Sequence, residues 1–293
     1  MLKKQNVVVA SGIITVSLVL TGCSSSSGVQ ESETRCESRL TDSALVNPGK
    51  LTYSTNATLP PVQYVKNGEV VGMRIDLINE LASRLCLEPK PMNVPFETQI
   101  PGLQGERWDM INTGLFYTEK RAETIALIPY EIQGVAVSVL KGNELDISNI
   151  SDLAGLTIGV EAPGYEFDSL NALNDDLVAQ GLEPININTS LTNADAFQAL
   201  SAGQLDGVVT VEAVTTFYQS DGRFTTGIDG LSAGPLAFGL KKGNDELADA
   251  VGAAYSDMYS DGFVEDLFDK FAVVPFTGPF EVTTGPLEFD TKG

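Results

Sequence analysis

Between Leu51 and Phe271 the chain alternates short β-rich apolar runs with longer amphipathic ones, and this alternation confines it to an α/β fold. Leu51 to Ser54 reads as a strand, and Met73 to Cys86 as a helix with Ile75, Ile78, Leu81, Ala82 and Leu85 on one face. Trp108 to Asn112 reads as a strand, Thr118 opens a helix, and Val135 to Leu140 is a strand that exits at Lys141-Gly142-Asn143. A second set follows. Leu156 to Val160 predicts a strand, and the Pro163-Gly164 turn leads into a helix through Leu173. Asn193 to Ser201 predicts a helix stopped by Gly203, and Gly207 to Val211 a strand. Ala237 to Leu240 is a strand that exits at Lys242-Gly243-Asn244, ahead of helices over Glu246 to Ser260 and Phe263 to Phe271. The two Lys-Gly-Asn exits mark a chain that crosses twice between two lobes. Residues 50–139 plus 242–276 would form the first lobe, 140–241 the second, and the Pro/Gly-rich 277–293 an irregular tail.

The N-terminus reads as an address. Lys3 and Lys4 precede an apolar run from Val7 to Leu20, shorter than the roughly 20 residues of a spanning helix, so residues 1–22 predict a signal peptide. The run closes on Leu20-Thr21-Gly22-Cys23, which resembles the bacterial lipobox; Cys23 would then be acylated and become the first mature residue. Ser24 to Gly28 supplies a flexible start to a tether and arm over 23–49. Two or three acyl chains would anchor stably where one would not. The expected location is outside the cytoplasm, held by lipid to a membrane and facing the periplasm or exterior.

Loss of Lys3 and Lys4 takes the net charge from −21 to −23. So acidic a chain does not track nucleic acid, whose phosphates need Lys and Arg. The chain has no histidine, which excludes His-based triads and general bases and most zinc sites. No metal or cofactor is expected. The other two cysteines, Cys36 and Cys86, form an isolated pair in an exported chain, more often a disulfide than a site.

The segments also carry an ordered series of motifs. Pro60-Pro61 precedes a hairpin at Lys66-Asn67-Gly68-Glu69, and Gly72-Met73-Arg74-Ile75-Asp76-Leu77 opens a helix. Ile100-Pro101-Gly102-Leu103, Arg107-Trp108-Asp109 and Thr118-Glu119-Lys120-Arg121 follow. Then come Asp152-Leu153-Ala154-Gly155, Ala199 to Asp206, and Asp261-Gly262 with Lys270. Across residues 50–273 this resembles the polar amino-acid family of bacterial solute-binding proteins that feed ABC importers. The resemblance implies a type II periplasmic-binding-protein fold, a small carboxylate ligand held between the lobes, an ABC permease as membrane partner, a monomer, and no catalysis.

Arg121 matches the family's clamp on the ligand's α-carboxylate, and guanidinium geometry suits a bidentate grip. With Thr118 as N-cap it falls in the first helical turn, where a cation opposes the helix dipole. The bland alternative is a surface Arg paired with Glu119 or Glu123. Thr113, Gly114, Leu115 and Phe116 match the loop that offers backbone N–H groups to the ligand. Phe96 matches a cleft-lining position, though both phenylalanines could be ordinary core. Gly164, Tyr165 and Glu166 match a carboxylate grip at a helix N-terminus. Asp76 and Asp206 read as helix-end and turn residues, and Trp108 as packing.

One part of the pattern breaks. The family's acid for the ligand's ammonium falls on Val211, with Glu212 beside it; the Ser or Thr that shares this ammonium falls on Phe116. The stacking aromatic falls on Leu59, and the nearby Asp on Asn56. Either Glu212 replaces the acid, or the ligand lacks an ordinary α-amino group, and the residues lean to the second. Two other functions fit the same fold: an exported dehydratase of cyclohexadienyl acids, with Glu166 or Glu212 as its acid or base, and a ligand-sensing lipoprotein.

Overall fold

The computed structural model describes residues 36, 38, 40–142 and 144–289; the signal-like segment and Cys23 lie outside them. Strand β1, Lys50–Thr55, is buried from Leu51 onward, as suits a central strand covered on both faces. Strands β2 (Thr58–Leu59), β3 (Gln63–Lys66) and β4 (Glu69–Val71) form a small separate sheet. The turn between β3 and β4 places both Asn67 and Gly68 at positive φ, the geometry that twists a tight hairpin correctly. Helix α1, Met73–Arg84, buries Met73, Leu77, Ile78 and Leu81. Gly72 before it has φ 125°, and a Cβ there would stand 2.6 Å from the Pro61 and Val62 backbone.

Strand β5 (Glu88–Asn93), helix α2 (Gln99–Gln104), strand β6 (Met110–Ile111) and the single-turn helix α3 (Glu119–Ala122) complete the first set. Strand β7, Ala126–Leu140, is far longer than its predicted exit. Strand β8 (Thr157–Glu161), helix α4 (Tyr165–Ala179) and strand β9 (Asn186–Ser190) open the second set. Helix α5 (Asn193–Ser201), strand β10 (Gly207–Val211) and helix α6 (Glu212–Gln219) finish it. Strand β11 (Phe224–Leu240), helices α7 (Asp245–Ser260) and α8 (Phe263–Asp269), and strand β12 (Val274–Pro275) return to the first set.

The main sheet runs β5-β1-β6-β11-β7-β10-β8-β9, with β12 added to β7. Strands β7 and β11 pass antiparallel from Phe224 opposite Leu140 to Leu240 opposite Ala126. Strand β6 pairs with Gly239 and Leu240 at one end, and β10 pairs with Val135 to Ser138 nearer the other. Two lobes are therefore joined by two crossing strands. Between the pairs Ile228–Val137 and Ser232–Val135 the ladder shifts register, and such bulges bend a strand pair where the lobes meet.

The arm and tail pack on the first lobe. Thr41 donates to the Glu246 carboxylate from its N–H at 2.6 Å and its hydroxyl at 2.8 Å. The Val46 N–H donates to Asp109 Oδ1 at 2.6 Å. Between Thr277 and Phe289 the described residues form no helix or strand, and the Thr283 N–H donates to the Leu127 carbonyl at 2.9 Å. Phe280 sits edge-on to Tyr255 at 4.8 Å. Cys36 and Cys86 form the expected disulfide. Among the described residues no helix is long and apolar enough to cross a membrane.

Candidate functional site

The carboxyl ends of β1, β6 and β8 open onto the gap between the lobes, where ligands bind in open α/β sheets. Asn56, Leu59, Phe96, Thr113 and Gly114 line this cavity from the first lobe. Glu161, Pro163, Gly164, Tyr165, Glu166, Asn193 and Val209 line it from the second. It holds only about 30 Å³ with the lobes in contact, so a solute of several heavy atoms enters by separating them. A wider concavity of about 500 Å³ lies elsewhere, by Trp108, Lys241 and the arm, and its walls come from the first lobe and arm.

The first-lobe wall rests on a buried polar network. Arg74 and Glu131 have fully buried side chains and pair through Nε to Oε2 at 2.9 Å and Nη2 to Oε1 at 2.7 Å. Arg74 Nη1 donates to Gln63 Oε1 at 3.0 Å. Gln63 Nε2 in turn donates to Thr113 Oγ1 at 2.6 Å and the Asn56 carbonyl at 2.7 Å. Burial opposes the charge on Arg74, but Glu131 more than offsets it and holds the pKa above the ordinary value. The network holds the Thr113 hydroxyl and the Asn56 backbone from below, so this part of the cavity wall is set before any ligand arrives.

Arg121 sits half-buried behind the cavity's Phe96 wall and is not itself one of the residues that line the cavity. The Thr118 hydroxyl caps α3 by accepting from the Arg121 N–H at 3.2 Å. Arg121 Nη1 donates to the Phe116 carbonyl at 2.7 Å, and the guanidinium lies 5.5 Å from the centre of the Phe96 ring. Burial lowers its pKa, and Glu166 and Asp168 act against that. Neither Glu119 nor Glu123 pairs with it, and among the described residues Arg121 forms no salt bridge. Helix α3 is four residues long, so its first turn is also its last and its dipole does not disfavour a cation at Arg121.

A sequence model of the bacterial extracellular solute-binding proteins, family 3, matches residues 51–274. The chain belongs to this family. It is 24% identical over 227 residues to the L-cystine-binding protein TcyJ of Escherichia coli, covering 76% of this chain and 82% of that one. It is 26% identical to the arginine-binding protein ArgT of Corynebacterium glutamicum, covering 78% and 76%. Among solved structures, an ancestral arginine-binding protein bound to arginine superposes with TM-score 0.69 at 28% identity, covering 76% of this chain and 98% of that one. An ancestral amino acid-binding protein, a precursor of cyclohexadienyl dehydratase, matches with TM-score 0.69 at 26% identity, covering 76% and 95%.

With the family fold in place, most of the expected site residues converge. Asn56, Phe96, Thr113, Gly114, Gly164, Tyr165 and Glu166 share the cavity, and Phe116, outside the lining, stacks on Tyr165 at 3.9 Å and 15°. Leu115 does not join them: its side chain packs with Trp108, Ile111 and Leu127 in a second core cluster, and its N–H donates to the Thr113 carbonyl at 2.7 Å. Glu212 does not join them either. Strand β10 ends at Val211 and Glu212 starts α6, which turns its carboxylate toward Gly134 and the Gly230 N–H, 3.2 Å away. Val211 itself is buried among apolar side chains. At the start of α4 the Glu166 carboxylate bends back to within 3.2 Å of where a Gly164 Cβ would stand, occupying the helix N-terminus expected to hold a ligand carboxylate.

Glu161 and Asn193 line the cavity although neither was among the expected site residues. Glu161 ends β8, and its Oε1 accepts from Asn56 Nδ2 of the other lobe at 3.3 Å. Its Oε2 accepts from the Asn193 N–H at 3.0 Å and from Asn193 Nδ2 at 2.6 Å. The signal that could have found Glu161 is its place at the end of a strand just before the Pro163-Gly164 turn.

Proposed function

We propose that this protein captures a small carboxylate-bearing solute, an amino acid or amino-acid-like compound, between its lobes and delivers it to an ABC permease. The observation that carries this reading is Arg121, a half-buried guanidinium against the cavity-lining Phe96 that forms no salt bridge among the described residues. Leaving such a group without an anion in the closed form is costly, and a ligand carboxylate supplies the missing partner. Relatives named for binding cystine, arginine and histidine support the amino-acid class.

In this reading residues 1–22 are removed, Cys23 is acylated, and 23–49 link the anchor to lobes formed by 50–139 plus 242–276 and by 140–241, with 277–293 as a tail. Thr113, Gly114 and Phe116 form the first-lobe side of the grip, with Asn56 and Phe96, and Gly164, Tyr165 and Glu166 the second-lobe side. The protein works as a monomer and binds without turnover, so cyclohexadienyl acids are not consumed.

Thermal unfolding across a panel of L-amino acids and simple carboxylates tests the function. At about a hundred times Kd, a true ligand stabilises by about 2.7 kcal/mol and raises Tm by about 5 °C or more. A panel without any shift contradicts the reading. Labelled palmitate incorporated by the wild type and not by Cys23→Ala tests the anchor.

A further inference from the structure

The cavity contains an anionic pole that has no cation to balance it. The Glu161 carboxylate is held by three N–H donors, two from Asn193 and one from Asn56, and all three are neutral. Among the described residues it forms no salt bridge. Beside it Asn193, only 2% exposed, spends its Nδ2 on Glu161 and leaves its own Oδ1 buried with no hydrogen-bond partner. Native interiors rarely leave such an acceptor unmade, so the orphan oxygen marks a place where a donor arrives from outside the chain. A ligand group here meets two acceptors and a negative charge, so it must bring N–H donors and a positive charge.

We propose that Glu161 and Asn193 Oδ1 bind the cationic nitrogen of the ligand, an ammonium or guanidinium group, in place of the acid that Val211 cannot supply. This rests on the proposed binding function and names the ligand class: a carboxylate that also carries a cationic nitrogen. The nitrogen docks on the second lobe at Glu161 and the carboxylate at Arg121 of the first lobe, so one ligand spans the gap.

Protonation supports the geometry. Burial, and after it the charge of Glu166, pushes the Glu161 pKa up to about 7, while the hydrogen bonds from Asn193 and Asn56 pull the other way. Glu166 on α4 is the charged group that bears on Glu161; it is itself raised by burial and drawn back by Arg121 and Arg74, and α5 and β1 face Glu161 with neutral Asn193 and Asn56. A ligand cation stabilises the ionised carboxylate, so binding near and below pH 7 releases a proton. Affinity is full above about pH 7 and falls about tenfold per unit as pH drops through that value.

The test is calorimetry on the detergent-solubilised full-length protein with L-arginine, L-histidine, L-cystine and L-glutamine, each beside its deaminated analogue. Titrations run across about pH 6 to 8 in two buffers of different ionisation enthalpy. The expected result is preference for the nitrogen-bearing form, proton release that fades above neutral pH, and loss on the order of a hundredfold in Glu161→Gln. The proton release is read on the wild type and does not depend on the variant folding. Equal affinity for the deaminated analogue, unchanged affinity in Glu161→Gln, or no proton release by the wild type overturns the assignment and leaves the carboxylate reading standing. Failure of every probe, deaminated ones included, overturns both.

Discussion

Arg74 carries the first test at the scale of a single residue. It is a fully buried cation paired twice with Glu131, and it reaches the cavity wall through Gln63. Removing one partner strands the other charge in the interior, so Glu131→Ala is expected to cost about 3–5 kcal/mol in denaturant unfolding. The double variant Arg74→Met with Glu131→Leu is expected to recover most of that loss, because no charge is left unpaired. A Glu131→Ala loss below about 1 kcal/mol would mean that water or another group solvates Arg74. Arg74 was visible in the sequence only as part of a helix-opening motif. Its partner lies on a crossing strand, and nothing in the local pattern of residues 126–134 points toward α1.

At the scale of elements, α3 presents Arg121, and Thr118 holds α3. Thr118→Ala removes the cap hydroxyl that accepts from the Arg121 N–H, at an expected stability cost of about 1 kcal/mol. Because the helix is one turn long, losing its cap also loosens the guanidinium, so ligand affinity is expected to fall several-fold as well. Unchanged affinity with lowered stability would separate the cap from the site. The sequence was most legible where one pattern governs one element: α5 spans Asn193–Ser201 and β10 spans Gly207–Val211, both as read from periodicity. It was least legible at the sheet edge, where β5 runs Glu-Pro-Lys-Pro-Met-Asn; prolines argue against a strand except at an edge with no ladder partner on one side. The crossing strands were seen only at their exits: the middle of β7 is buried throughout and shows no alternation, while the middle of β11 is partly exposed and interrupted by Gly227, Gly230 and Gly234. Glu161 was missed for a related reason. Its strand-end position hinted at a site, but its partners Asn193 and Asn56 come from distant elements that the local pattern does not connect to it.

At the scale of the molecule, the disulfide ties the N-terminal arm to the end of α1. Cys36 and Cys86 are 50 residues apart, and closing a loop of that length contributes about 4 kcal/mol in the chain-entropy account. Cys36→Ser with Cys86→Ser is expected to lower unfolding stability by up to that amount without changing ligand affinity, since neither residue lines the cavity. A large affinity loss in this variant would place the arm in the binding mechanism. Among the described residues the lobes meet at Phe116 on Tyr165, Asn56 on Glu161, and Tyr64 near Phe217 at 6.3 Å. In the proposed function, a ligand that touches both lobes favours the closed form over the open one. The most direct measurement of that account is a calorimetric titration of the best-binding L-amino acid into wild type and Arg121→Ala. The expected result is saturable binding of one ligand per protein, weakened about a hundredfold or more in the variant. Equal affinity in both proteins would contradict it.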